Sequence, residues 1–172
     1  MHTTTHTTTQ TATPTSGQAT ATPDPTGAPE GYGVVQRKTI YLDDLDGFGM
    51  LYHANYATLL DHAILDFWHA SGWRIDPGRS VQVIRALSIT YNAPVLGTGE
   101  VDVHLWVEQA GRSSVTYAFE VLSADHRTVH AAGQRVLVNL DPQTLEPAPL
   151  SDEMWDIAAP LLKPGVTRPT PA

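Results

Sequence analysis

One segment of this chain has a helical apolar period and four later ones have a period of two, and that switch limits what it can fold into. Counting from Tyr56, the residues Leu59, Leu60, Ala63, Ile64 and Phe67 fall at i+3, i+4, i+7, i+8 and i+11. Such spacing lays one apolar stripe along an amphipathic helix, which runs to about Ser71 and stops at Gly72. After it the period becomes two. "VQVIRALSITYNA" leads to Pro94, "EVDVHLWVEQ" alternates Val101, Val103, Leu105 and Val107, and "SSVTYAFEVL" puts Val115, Tyr117, Phe119 and Val121 on one face. "TVHAAGQRVLVNL" follows and ends at Asp141–Pro142, and ahead of the helix "VVQRKTIYL" reads as one more strand. A last amphipathic piece, "SDEMWDIAAPLL", has Ser151 as N-cap and acids in its first turn. Strands joined by tight turns pair antiparallel, and one long helix covers one face of the sheet they make. The expected class is α+β, an antiparallel sheet curled around a single central helix.

Residues 1–31 are mostly Thr, Ala, Pro and Gly with no large apolar residue between Met1 and Tyr32, a composition that cannot offset its ordering entropy by burial. They are expected to form a disordered tail, with residues 32–163 as the one folded domain and 164–172 as a second flexible end. A net charge of −8 argues against sequence-independent binding of nucleic acid or of an anionic membrane. No apolar run approaches the roughly 18 residues of a membrane span. With no cysteine, disulfides, thiolate metal sites and a Cys nucleophile are excluded. The start lacks the charged-then-apolar pattern of a secretory leader, so the expected location is cytoplasmic. His62 and His69 share a helix face without HExxH or a third ligand at useful spacing, and no metal is expected. Neither GxSxG, GxGxxG nor a P-loop is present.

The stretch that does not behave like the rest is "DDLDGFGMLYHANY", Asp43 to Tyr56. An acid cluster, two glycines and a histidine stand at the mouth of the long helix. A helix N-terminus offers unpaired N–H groups and the positive end of a dipole, both suited to developing negative charge. Gly47 and Gly49 let the backbone bend into it. A carbonyl oxygen against the N–H groups near Tyr52 and His53 would sit in an oxyanion hole, and Asp46 just upstream suits a base for water or a nucleophile. Such a set fits acyl transfer to water. Acids before a helix also serve simply as caps and dipole partners, and on residue chemistry alone both readings stand.

The stretch closely resembles the signature of hotdog-fold acyl-CoA thioesterases of the 4-hydroxybenzoyl-CoA thioesterase-like group. In that group an Asp-x-Asp, a Gly-containing turn and Tyr-His-Ala-Asn-Tyr lead into the central helix. Here these are Asp44-Leu45-Asp46, residues 47–51 and Tyr52–Tyr56, and the likeness runs on through "GRSSVTYAFEV" and "VNLDPQTLEPAPL". The resemblance implies a thioester hydrolase with Asp46, His53 and Tyr52 at the chemistry. Gly49, Asn55 and Tyr56 would shape the substrate site, and Arg112, Ser113 and Ser114 would meet the phosphates of coenzyme A. It implies no cofactor beyond coenzyme A or phosphopantetheine as part of the substrate. The partners implied are an acyl thioester, an acyl carrier protein as the other carrier, and a second copy of the chain in a homodimer or homotetramer with the site at the dimer interface. Two other activities stay open. One is addition of an amine or water to an enoyl thioester in a polyketide pathway, and the other is non-catalytic thioester binding. A tyrosine that some relatives carry four positions before the acid is Leu42 here. Trp68 and Trp73, near the helix end, fit either the core or the wall of an acyl tunnel.

Overall fold

The computed structural model describes residues 31–170, and the tail expected over residues 1–31 lies, but for Gly31, outside them. In chain order the elements are β1 (Val34–Ile40), α1 (Asn55–Ala70), β2 (Val81–Tyr91), β3 (Gly99–Ala110), β4 (Ser114–Ser123), β5 (Val129–Leu140) and α2 (Asp152–Ala158). The strands form one antiparallel sheet in the order β1-β3-β4-β5-β2, wrapped around α1 in a hotdog fold.

The helical stripe is what the sheet grips. Tyr56, Leu59, Leu60, Ala63, Ile64, Phe67 and Trp68 are the buried residues of α1. They meet Val101, Val103, Leu105 and Val107 of β3, and Val115, Tyr117, Phe119 and Val121 of β4. Each large side chain buried this way contributes about 1.5–3 kcal/mol, so the packed stripe, not helix propensity, holds α1 in place. Gly133 makes the curl possible. A Cβ there would lie 2.0 Å from the Ser88 carbonyl oxygen and 3.0 Å from the Phe119 ring, so no side chain fits where β2, β5 and Phe119 converge.

The last helix begins as expected, with Ser151 Oγ accepting the N–H of Met154. It is shorter than the pattern "SDEMWDIAAPLL" suggested. Regular α-helix ends at Ala158 and one 3-10 turn over Ala159–Leu161 follows, because Pro160 has no N–H to donate and its ring crowds the preceding turn. Contacts do not stop at residue 163 either. Val166 packs against the core and Arg168 pairs with Asp152, so the end expected to be loose from 164 is seated on the domain at these two points.

Strand β2 is an edge of the sheet, and its helix-side residues are poorly covered. Register places Ile84 opposite Leu137, Leu87 opposite Arg135, Ile89 opposite Gly133 and Tyr91 opposite Ala131. Partners across a ladder share a face, and Arg135 and Tyr91 both touch α1, so these β2 side chains look toward the helix. Even so, Ile84 is 51%, Leu87 40% and Tyr91 50% exposed.

Candidate active site

Residues 45–51 fold into a small clasp, with Leu45 bridging Leu51 and Asp46 N–H donating to the Met50 carbonyl at 2.7 Å. Gly49 closes it at φ +76°, a left-handed conformation that a side chain strains, and its carbonyl accepts the Gly97 N–H at 2.9 Å. The clasp is thereby fastened to the β2–β3 loop, where Leu51 N–H also donates to the Val95 carbonyl. Phe48 stands at its tip, 86% exposed.

Inside the clasp Asp46 is half-buried. Its Oδ1 accepts the N–H groups of Phe48 at 2.8 Å and Met50 at 3.1 Å, while Oδ2 has no partner among the described residues. Asp44 is used locally: its Oδ2 accepts the Tyr41 N–H, and its carbonyl takes the Tyr52 N–H at 2.9 Å and Asn55 Nδ2 at 3.0 Å. Neither acid caps α1. The helix has no side-chain cap and no acid in its first turn. The bland reading of the cluster, as caps for this helix, is therefore not what the chain does. The N–H groups of His53 and Ala54 have no acceptor among the described residues, at the positive end of a 16-residue helix.

A cavity of about 310 Å³ opens here, lined by Asp46, His53, Tyr56, Tyr91 and Asn92 among others. Tyr56 is buried, and its edge meets the Tyr91 ring at 5.1 Å between centroids. Burial pushes the Tyr56 phenol above its ordinary range, against a backbone hydrogen bond at Val95 that pulls the other way. Tyr91 donates its hydroxyl to the His53 carbonyl at 3.0 Å, tying the end of β2 to the mouth of α1. Asp46, a carboxylate with one free oxygen, thus lines the same small space as His53, which carries an unpaired N–H at the helix N-terminus. Such a space can receive a carbonyl, polarise it from one side and attack it from the other.

The residues expected at this site divide into three groups. Asp46, His53 and Tyr56 are brought together. Tyr52 is displaced from its expected role, because its N–H is already spent on the Asp44 carbonyl by the closing of the loop; its ring lies against that of His53, 4.3 Å between centroids. Gly49 and Asn55 hold the clasp and do not line the cavity. Arg112 and Ser113 sit in the β3–β4 turn and Ser114 opens β4, all at the other end of β3. That 12-residue strand is about 36 Å long at 3.3 Å per residue, so one chain does not bring the turn to its own Asp46. Tyr91 and Asn92 are the residues that sequence reasoning passed over. The only signal was a tyrosine on the helix-facing parity of its strand, which reads as ordinary packing until the pairing partner is known.

No helix among the described residues is long and apolar enough to cross a membrane.

With this geometry in hand, likeness to known proteins is informative. The profile of the thioesterase superfamily matches residues 48–130, a segment that begins two residues after Asp46. The acyl-CoA thioester hydrolase YbgC of Escherichia coli is 23% identical over 114 residues, covering 64% of this chain and 84% of that protein. Among solved structures, the PA5185 protein of Pseudomonas aeruginosa PAO1 superposes with a TM-score of 0.73 at 25% identity, over 83% of this chain and 100% of that one. The 1,4-dihydroxy-2-naphthoyl-CoA thioesterase Slr0204 of Synechocystis superposes at 0.69 with 20% identity, over 74% and 96% of the two chains.

Proposed function

We propose that this chain is a member of the thioesterase superfamily, whose profile it matches over residues 48–130, and that it hydrolyses an acyl thioester to a carboxylic acid and a thiol. One observation carries the reading: Asp46, whose Oδ2 has no partner among the described residues, and His53, whose N–H has no acceptor among them, line one cavity at the mouth of α1. The thioester carbonyl accepts the His53 N–H, which stabilises the oxyanion as the carbonyl carbon becomes tetrahedral. The Asp46 carboxylate either takes a proton from the attacking water or adds to the carbon itself. The oxyanion then collapses, the C–S bond breaks and the thiolate leaves; on the first route this gives the free acid directly, and on the second it leaves a mixed anhydride on Asp46 that water hydrolyses to the acid and the regenerated carboxylate. Labelled-oxygen incorporation into Asp46 during a single turnover separates the two routes.

The site is completed by a second copy. β2 is an unpaired edge of the sheet, which supports a dimer joined by backbone pairing along that edge, with the inner-face side chains of β2 left to line the site. Antiparallel pairing of two β2 strands sets the Val81 end of one beside the Tyr91 end of the other. Val81 pairs with Leu140, and Val138 with Ser114. The Arg112–Ser114 turn of one copy then lies on the side of the other copy's Asp46, where a guanidinium suits a phosphate of coenzyme A.

The test is free-thiol release from a panel of acyl- and enoyl-CoAs by the wild type and by Asp46→Asn. Turnover that collapses in a folded mutant supports the reading, and turnover indifferent to the mutation overturns it.

A further inference from the structure

A second cavity, of about 210 Å³, lies between the later turns of α1, the loop that follows and the start of β2. Asp61, Trp68, Trp73, Ser80, Arg135 and Leu137 are among its walls. Most of this surface is apolar, and the two indoles meet edge to face at 5.9 Å. Arg135 is the exception. Only 9% exposed, it points from β5 to α1 and gives Nη1 to Asp61. No other acceptor reaches it among the described residues, and its Nε is both buried and unpaired. A guanidinium has five N–H donors, and a single carboxylate does not occupy them all, so Arg135 lines the cavity with donors open to an oxygen brought to them.

The Arg135 cavity and the Asp46 cavity are joined by the uncovered side chains of β2. Tyr91 belongs to the first cavity described and Leu87 is the residue paired with Arg135, so four residues, about 13 Å of strand, separate them. Ile89 lies between, and Ile84 continues the same apolar ribbon past Arg135. An acyl chain with its carbonyl at His53 can lie along this ribbon with its far end among Trp68, Trp73 and Arg135.

Resting on the thioesterase reading, we propose that Arg135 is a specificity residue, and that the enzyme prefers medium-length acyl thioesters bearing a neutral oxygen, a hydroxyl or ketone, at the far end of the chain. Neutrality follows from the surroundings. Asp61 already balances Arg135, and Asp76 also lines the cavity, so a terminal carboxylate would meet two others. A plain methyl terminus would leave the guanidinium donors unpaired, a loss that sites built around a hydrogen bond turn into large discrimination.

The test compares octanoyl-CoA, 8-hydroxyoctanoyl-CoA and the eight-carbon dicarboxylic monothioester, with the full chain as wild type, Arg135→Met and Ser80→Leu. The second variant fills the cavity from its rim without touching Arg135. The wild type is expected to favour the hydroxy substrate over the plain one by about tenfold or more in kcat/KM, with the carboxylate substrate poorest. Either variant brings the hydroxy-to-plain ratio near one. A wild-type ratio near one, or a preference that survives in both variants, overturns the proposal. Calorimetric titration with non-hydrolysable thioether analogues of the three keeps the two claims apart. Selective, Arg135-dependent binding without turnover supports the cavity and refutes hydrolysis; turnover without such selectivity refutes the cavity alone.

Discussion

Asparagine at position 46 removes the charge and proton-accepting power of the side chain while leaving its shape. In the structure Asp46 Oδ1 accepts two backbone N–H groups, from Phe48 at 2.8 Å and Met50 at 3.1 Å. An amide oxygen can accept the same two bonds, so the clasp persists with weaker, uncharged acceptance. The expected loss of stability is below about 1 kcal/mol, a fall of a few degrees in Tm at most for a fold of this size. Catalysis should respond on another scale, because the free Oδ2 is replaced by an NH2 group that cannot take a proton from water or attack a carbon. A fall in kcat of about a thousandfold, equivalent to roughly 4 kcal/mol in the barrier, is expected. Asp46→Ala separates structure from chemistry. It leaves both N–H groups without their acceptor, so it should be as inactive as Asp46→Asn and less stable by a further 1–2 kcal/mol or about that. The assay is continuous thiol release under saturating acyl-CoA, beside thermal denaturation of all three proteins. Turnover of Asp46→Asn within about tenfold of wild type would refute the assignment, and equal destabilisation of the two mutants would refute the account of the clasp.

Further perturbations report on the supports of the site. Gly49→Ala meets no atom within 4 Å but must hold φ +76°, so strain alone should cost about 1–2 kcal/mol, read as a lowered Tm with a parallel drop in activity as the clasp opens. Tyr91→Phe keeps the ring against Tyr56 and loses the bond to the His53 carbonyl; a stability loss of up to about 1 kcal/mol and a several-fold lower kcat are expected in the same two assays. On the face of the sheet turned away from α1, Asp102 is fully buried. Burial pushes its carboxyl up, but hydrogen bonds from Arg37 and His126 outweigh this and hold it below the ordinary carboxylate range. A folded-state value below the unfolded one means that its stabilisation is complete above about pH 4 and is lost as pH falls through the lower folded value. Asp102→Asn should therefore cost about 3 kcal/mol at neutral pH in a denaturant titration and progressively less in acid.

Much of the fold is written in local pattern. The stripe from Tyr56 to Phe67 and the alternation around Val103 and Tyr117 place α1 and the strands within a residue or two of where they lie, since period and burial are the same constraint seen twice. Pro160 stands inside the segment expected to be helical, and its missing N–H ends the helix sooner than the apolar pattern suggested. In the site, Asp46 and His53 were legible because their motif is contiguous and close to its helix. The place of Arg112 was not legible for the opposite reason: motif order says nothing about which end of a long strand a turn occupies, and only the β3 register shows it to be remote from Asp46 within one chain.

By itself the sequence determined the class of fold, the helix that the sheet must wrap and the acid that stands at its mouth, because each depends on residues near one another along the chain. Tertiary structure alone decided that Tyr52 would spend its N–H on Asp44, that Tyr91 would close the pocket from β2, and that Arg135 would be buried against Asp61 with donors to spare. Those outcomes depend on strand register and on competition among backbone groups for partners, and both are settled only when segments distant in sequence come into contact.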